Sequence, residues 1–155
     1  MSKNYEYIEM KIPAKPKYVG LVRLTLSGIL NSAGATYEEI EDTKIAVSEA
    51  VTNAVKHAYS DSDNEITIGF AVSDGRVEII VQDSGKSFDY ETVKKELGPY
   101  KESDSVSFLR EGGLGLFLIE TLMDDVNVRR TQGVTISMVK YIGEGQVQKD
   151  GAITN

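Results

Sequence analysis

The chain contains no cysteine, which excludes disulfides and thiolate metal sites and is compatible with a reducing compartment. Positive charge is scarce. Lys and Arg number 17 against 24 Asp and Glu, and the net charge of −7 disfavours nucleic acid or an anionic membrane as a direct partner. No apolar run approaches the ~18 residues that a membrane-crossing helix needs. The opening MSKNYEYIEM also lacks the apolar stretch of a signal peptide. A soluble, cytoplasmic protein is therefore the expectation. Internal repeats and low-complexity tracts are missing too. What remains is ordinary for a globular protein, 41% hydrophobic and 26% charged over 155 residues, enough for one substantial core. One domain over residues 1–143 is expected, followed by a polar tail over 144–155.

The chain is organised around residues 38–59. Thr36 with Glu39 has the spacing of a capping box, so a helix begins here. At about 100° per residue, Ile40, Val47, Val51, Ala54 and Ala58 form a core-facing stripe. Glu49, Asn53 and His57, spaced i, i+4, i+8, line up on another side beside the small Ala46 and Ala50. A merely solvated face would carry Lys, Glu and Gln. A carboxylate, a carboxamide and an imidazole in one row suit a binding site better.

Around this helix the periodicity alternates between two and 3.6. Ile8, Met10 and Ile12 alternate with Glu9 and Lys11, which predicts a strand over 7–12. Residues 17–32 read as a helix stopped at Gly34, and Arg23 is its only charged residue between Tyr18 and Gly34. That arginine suits either a solvated edge or a protein contact. Strands over 65–72 and 76–82 are joined by Ser73-Asp74-Gly75 as a hairpin. Residues 83–115 lose periodicity apart from a short helix over 90–97. A loop of such length in a compact domain is usually functional, and a lid is the expectation. A helix over 114–123 and a second hairpin, 125–130 with 134–141, complete the pattern. The sum is an α+β two-layer sandwich, with helices on one face of a mostly antiparallel sheet and the lid on the helical side.

Two further stretches carry chemistry. Asp83 follows a strand and precedes Gly85. A carboxylate there can accept from an exocyclic amine while backbone approaches closely at the glycine, which would select adenine over guanine. By itself, Asp-Ser-Gly is also an ordinary turn. Gly112-Gly113-Leu114-Gly115 runs into a helix and offers backbone N–H groups to phosphate. It is neither a Walker loop nor a Rossmann fingerprint.

Taken in order, Glu-x-x-x-Asn on a helix, Asp-x-Gly after a strand, a glycine-rich lid and a Thr on the last strand resemble the Bergerat (GHKL) ATP-binding fold. That site is shared by Hsp90, type II topoisomerases, histidine kinases and MutL. The segments EAVTNAVKHAY and GGLGLFLIETLMDDV, and the compact length, are similar to the anti-sigma-factor serine kinases. YIEMKIPAKPKYVGLVRLTLSG and ELGPYKESDSVSFLREGGLGL are similar to those that control the general-stress factor sigma-B. The resemblance covers almost the whole chain. It implies ATP and Mg²⁺ as cofactors, with Asn53 as metal ligand and Glu49 as the residue that activates the attacking hydroxyl. It implies an adenine contact at Asp83 and Gly85, phosphate contacts at Gly112, Gly113, Leu114 and Gly115, and Thr135 as a polar group near the aspartate. His57 is either structural support or a nucleotide contact. Two departures stand out. Ser87 replaces the second glycine of Asp-x-Gly-x-Gly, and Glu111 occupies a place where some relatives carry arginine, leaving Arg110 as the candidate for the γ-phosphate.

The activity implied is phosphorylation of a serine on an anti-anti-sigma protein, alternating with binding and inhibition of sigma-B, by a homodimer. The contacts are expected near residues 17–32. A nucleotide-dependent sigma-binding module without phosphotransfer is the alternative, and the retained Glu49 argues against it. A histidine kinase needs a phosphoacceptor histidine on a dimerisation helix, whereas the only histidine lies inside the site motif. An ATP-driven clamp of the MutL or Hsp90 kind would need further domains.

Overall fold

The computed structural model describes residues 4–58, 64–84, 89–99, 113–129 and 134–143. The first strand, β1 (Glu6–Pro13), leads through a single 3₁₀ turn into α1 (Val19–Ser32) and then α2 (Tyr37–Ala58). The hairpin β2 (Glu65–Ser73) and β3 (Arg76–Gln82) follows, then α3 (Tyr90–Glu96), a two-residue β4 (Gly98–Pro99) and α4 (Gly113–Leu122). A second hairpin, β5 (Asp125–Arg129) and β6 (Thr135–Tyr141), closes the fold.

The six strands form one sheet in the order β1-β2-β3-β6-β5-β4, and every neighbouring pair is antiparallel. Alternation decides which side chains face the helices. Ile66, Ile68 and Phe70 of β2, Val77, Ile79 and Val81 of β3, and Ile136 and Met138 of β6 are buried in one cluster. Val22, Leu26 and Leu30 of α1, Val47, Val51 and Ala54 of α2, and Ile119 of α4 join them from the helical layer. Each buried Val, Leu, Ile, Phe or Met side chain among them contributes about 1.5–3 kcal/mol on leaving water. The expected α+β sandwich is what forms.

The helix starts and stops have local causes. The Thr36 N–H donates to Glu39 Oε1 at 2.8 Å, and the Glu39 N–H donates to Thr36 Oγ1 at 3.1 Å, so the capping box is complete. The same Glu39 oxygen accepts from the Gly143 N–H at 2.9 Å, which ties the end of β6 to the start of α2. Gly34 takes φ +88° just past α1, and Gly75 takes φ +72° in the β2–β3 turn, conformations that cost glycine little.

The opposite face of the sheet is not bare. Tyr90 of α3 packs on Ala71 and Ile80 there, and the rings of Tyr5 and Tyr7 lie 4.9 and 5.7 Å from it. Beneath sits Glu78, 2% exposed. Its carboxylate accepts from the hydroxyls of Tyr90 and Ser137, with Lys94 at 3.2 Å and Arg76 at 3.4 Å. Burial pushes this carboxyl up, but the two hydrogen bonds and two cations outweigh it and hold it below the usual carboxylate range. The short helix therefore docks on the side away from α1, α2 and α4. The sequence pattern did not place it, because its two buried residues, Tyr90 and Val93, do not say which face of the sheet they meet.

Candidate functional site

The polar row of α2 forms as a three-turn ladder. Glu49 is half-buried, Asn53 buried and His57 exposed. Ala46, Ala50 and Ala54 beside them are fully buried, so only small side chains separate α2 from its neighbours along this side. Asn53 is 4% exposed, and its Nδ2 is buried with no hydrogen-bond partner among the described residues. A buried amide usually finds partners. One left open this way suits a ligand.

One turn further on, His57 reaches across to the sheet, with Nε2 3.3 Å from Asp83 Oδ2. Asp83 stands just beyond β3 with only 6% of its side chain exposed. Its N–H donates to the Val134 carbonyl at 3.2 Å, and the Val134 N–H donates to Asp83 Oδ1 at 3.2 Å. The carboxylate is thus held from two directions, by a helix side chain and by the backbone ahead of β6. The Thr67 hydroxyl donates to the Ser84 carbonyl at 2.8 Å and fixes the next residue. A carboxylate so immobilised, with lone pairs to spare, can read an exocyclic amine.

The backbone of Gly113, Leu114 and Gly115 forms the first turn of α4, which packs against α2. A helix N-terminus there offers N–H groups to anionic oxygen. Gly85, Arg110 and Gly112 lie outside the described residues, as does most of the expected lid.

Thr135 is a correction. Ile136 and Met138 face the helices, so alternation turns Thr135 to the opposite face. Its hydroxyl there donates to Gln82 Oε1 at 3.3 Å and accepts from Arg129 at 3.2 Å. The residue that meets Asp83 is Val134, through its backbone. No sequence signal could identify it, since any residue but proline supplies that N–H. Arg129 was missed as well; an arginine at a strand end usually reads as solvated.

Beside the row, Arg23 of α1 and Glu41, Lys44, Ile45, Ser48 and Glu49 of α2 line an open groove of about 390 Å³. The Ser48 hydroxyl is buried without a partner among the described residues. Glu49 borders both this groove and the Asn53–His57 side of the helix. Among the described residues no group of three or more His, Cys, Asp or Glu could hold a metal, so a resident multi-ligand cage is absent from them. A single oxygen donor such as Asn53 instead fits a hard cation that brings most of its ligands with it.

A family described as "Histidine kinase-like ATPase domain" matches residues 12–140. The chain is 56% identical over 153 residues to the "Serine-protein kinase RsbW" of Staphylococcus aureus (strain MSSA476), a match covering 97% of this chain and 96% of that protein. The same figures hold for the protein of that name from Staphylococcus epidermidis. Among solved structures, the RsbU and RsbW domains of Rv1364c from Mycobacterium tuberculosis align with a TM-score of 0.60 at 22% identity. That match covers 88% of this chain and 32% of the longer one, and at this identity it speaks to the fold alone.

Proposed function

The chain belongs to the histidine kinase-like ATPase family and, within it, to the RsbW serine-protein kinases, and from this premise we propose that it phosphorylates an anti-anti-sigma protein on serine and otherwise holds sigma-B inactive. As a protein serine kinase it uses ATP. The observation that carries the assignment to residues is the joining of His57 to Asp83 at 3.3 Å, one helical turn from a buried Asn53 whose Nδ2 has no hydrogen-bond partner among the described residues.

On this reading Asp83 accepts from the adenine amine, and His57 is a positioning residue that fixes the carboxylate. Gly85 lets the base approach, while the N–H groups of Gly112, Gly113, Leu114 and Gly115, with Arg110, take the phosphates. Asn53 would hold Mg²⁺ through Oδ1. When bound, that ion supplies charge neutralisation at the phosphates. Glu49 accepts the proton of the serine hydroxyl as its oxygen bonds to the γ-phosphorus; the bond to the β–γ bridging oxygen breaks, and ADP leaves. The groove beside Glu49 is where the acceptor would present its serine. Leu21 and Leu24, 48% and 75% exposed on α1, support protein contacts there, including a homodimer. The domain would span 1–143 with 144–155 as a tail. The deficit of positive charge favours protein partners over nucleic acid, and no described helix is long and apolar enough to cross a membrane.

The test is phosphotransfer from labelled ATP with Mg²⁺ to a candidate anti-anti-sigma protein. Label on a serine of the acceptor, lost in Asn53→Ala and Asp83→Asn, is the expected result. Nucleotide binding without transfer would establish the binding-module alternative, and absence of nucleotide binding would remove the site.

A further inference from the structure

Arg129 ends β5 and is only 8% exposed. A guanidinium withdrawn from water is costly unless its donors are met, and three elements meet them here. Nη1 donates to Glu96 Oε1 at 2.8 Å. Nη2 donates to Gln82 Oε1 at 2.9 Å and to Thr135 Oγ1 at 3.2 Å. Nε is buried without a partner among the described residues.

The placement of these contacts matters more than their number. Gln82 and Thr135 face each other in register as the last rung of the β3–β6 ladder. One step beyond them stand Asp83 and Val134, which exchange two hydrogen bonds. The guanidinium therefore sits directly behind the Asp83 rung, on the face of the sheet away from His57 and Asn53. It cannot touch a nucleotide bound on the helical side. It can, however, set the spacing of β3 and β6 where the regular ladder ends and Asp83 must keep its angle. A planar fork with fixed donor directions suits that task better than an ammonium. Its third contact point, Glu96, closes α3, and beyond Leu97 the residues Gly98 and Pro99 pair with β5 at Val128 and Asn127. The fork is thus braced from the sheet edge as well.

We infer that Arg129 is a positioning residue for base recognition, holding Asp83 at its reading angle through Gln82 and Thr135 and itself steadied by Glu96. The inference rests on the reading of Asp83 as the adenine contact. A residue that only stabilised the fold would affect all ligands alike. A residue that aims Asp83 affects the choice between adenine, which offers an amine, and guanine, which offers a carbonyl.

The experiment measures dissociation constants of the full chain for ATP and GTP. It compares Arg129→Met, Arg129→Lys and Glu96→Gln with Arg76→Gln, which removes an arginine–carboxylate contact at the far end of the same face. Arg129→Met is expected to reduce the ATP-over-GTP preference about tenfold, the net worth of roughly one hydrogen bond, chiefly by weakening ATP. Arg129→Lys and Glu96→Gln shift the ratio less in the same direction, and Arg76→Gln leaves it unchanged. A preserved ratio in Arg129→Met with a lowered melting temperature would overturn the inference while leaving the Asp83 reading intact. A wild-type protein without preference for ATP would overturn both. If Arg129→Met shows no cooperative melt, the ratios of Arg129→Lys and Glu96→Gln decide by the same criterion.

Discussion

The imidazole of His57, at the end of the long helix, stands 3.3 Å from the carboxylate of Asp83, just beyond the central strand β3. This contact fastens the helical layer to the sheet at the proposed adenine contact. The same carboxylate takes a backbone N–H from Val134, so its orientation is decided by the meeting of three segments that are remote in sequence.

Replacing His57 by alanine leaves the Val134 bond but frees one side of Asp83. His57 is exposed, so the melting temperature should stay within about 2 °C, the scale of a surface change of a few tenths of a kcal/mol. ATP affinity should fall roughly threefold to tenfold, the loss of one hydrogen bond's net worth. Calorimetric titration of both proteins with ATP decides it; an unchanged dissociation constant assigns His57 no part in positioning.

Asn53 offers a trade between stability and function. Its buried Nδ2 has no partner among the described residues, and an unsatisfied buried donor costs about 1–3 kcal/mol. Asn53→Ala should therefore melt no lower than the wild type, or higher, while Mg²⁺ no longer strengthens ATP binding and transfer is lost. Thermal melts and ATP titrations with and without Mg²⁺ test the two halves separately.

The Glu78 cluster predicts an acid limit to stability. A carboxyl held below its ordinary value of 4.5 binds protons more weakly folded than unfolded. It therefore stabilises the fold fully above that value, and the contribution drains away as pH falls through the lower folded value. Tyr90 works in the opposite sense. Burial and then the bond to Glu78 push its hydroxyl above 10.0, so its contribution is complete below pH 10 and is lost on going further alkaline. Denaturant midpoints of wild type and Glu78→Gln across pH 3–9 should converge towards the acid end and differ most on the plateau above it.

Glu39 joins two ends of the fold through one oxygen, which accepts from Thr36 and Gly143. Glu39→Ala removes half a capping box and leaves the Gly143 N–H unpaired, a cost of about 1–3 kcal/mol. Urea unfolding should show this loss with an unchanged ATP dissociation constant, since neither partner belongs to the nucleotide site. A shift below about 0.5 kcal/mol would remove Glu39 as a tie.

Much of this protein is legible in local pattern. Alternation in 65–72 and 76–82, the Thr36–Glu39 spacing and the small glycine-marked stops determine strands and helices, because each depends on neighbours two to four residues apart. The Glu49–Asn53–His57 row is equally local, since one helix sets it. The tertiary structure alone decided that α3 docks on the far face through Tyr90 and Glu78, that Val134 rather than Thr135 meets Asp83, and that Arg129 stands behind that rung. Each of these depends on which strand ends beside which. That outcome is set by register and by the burial of whole faces, and no short window of sequence contains it.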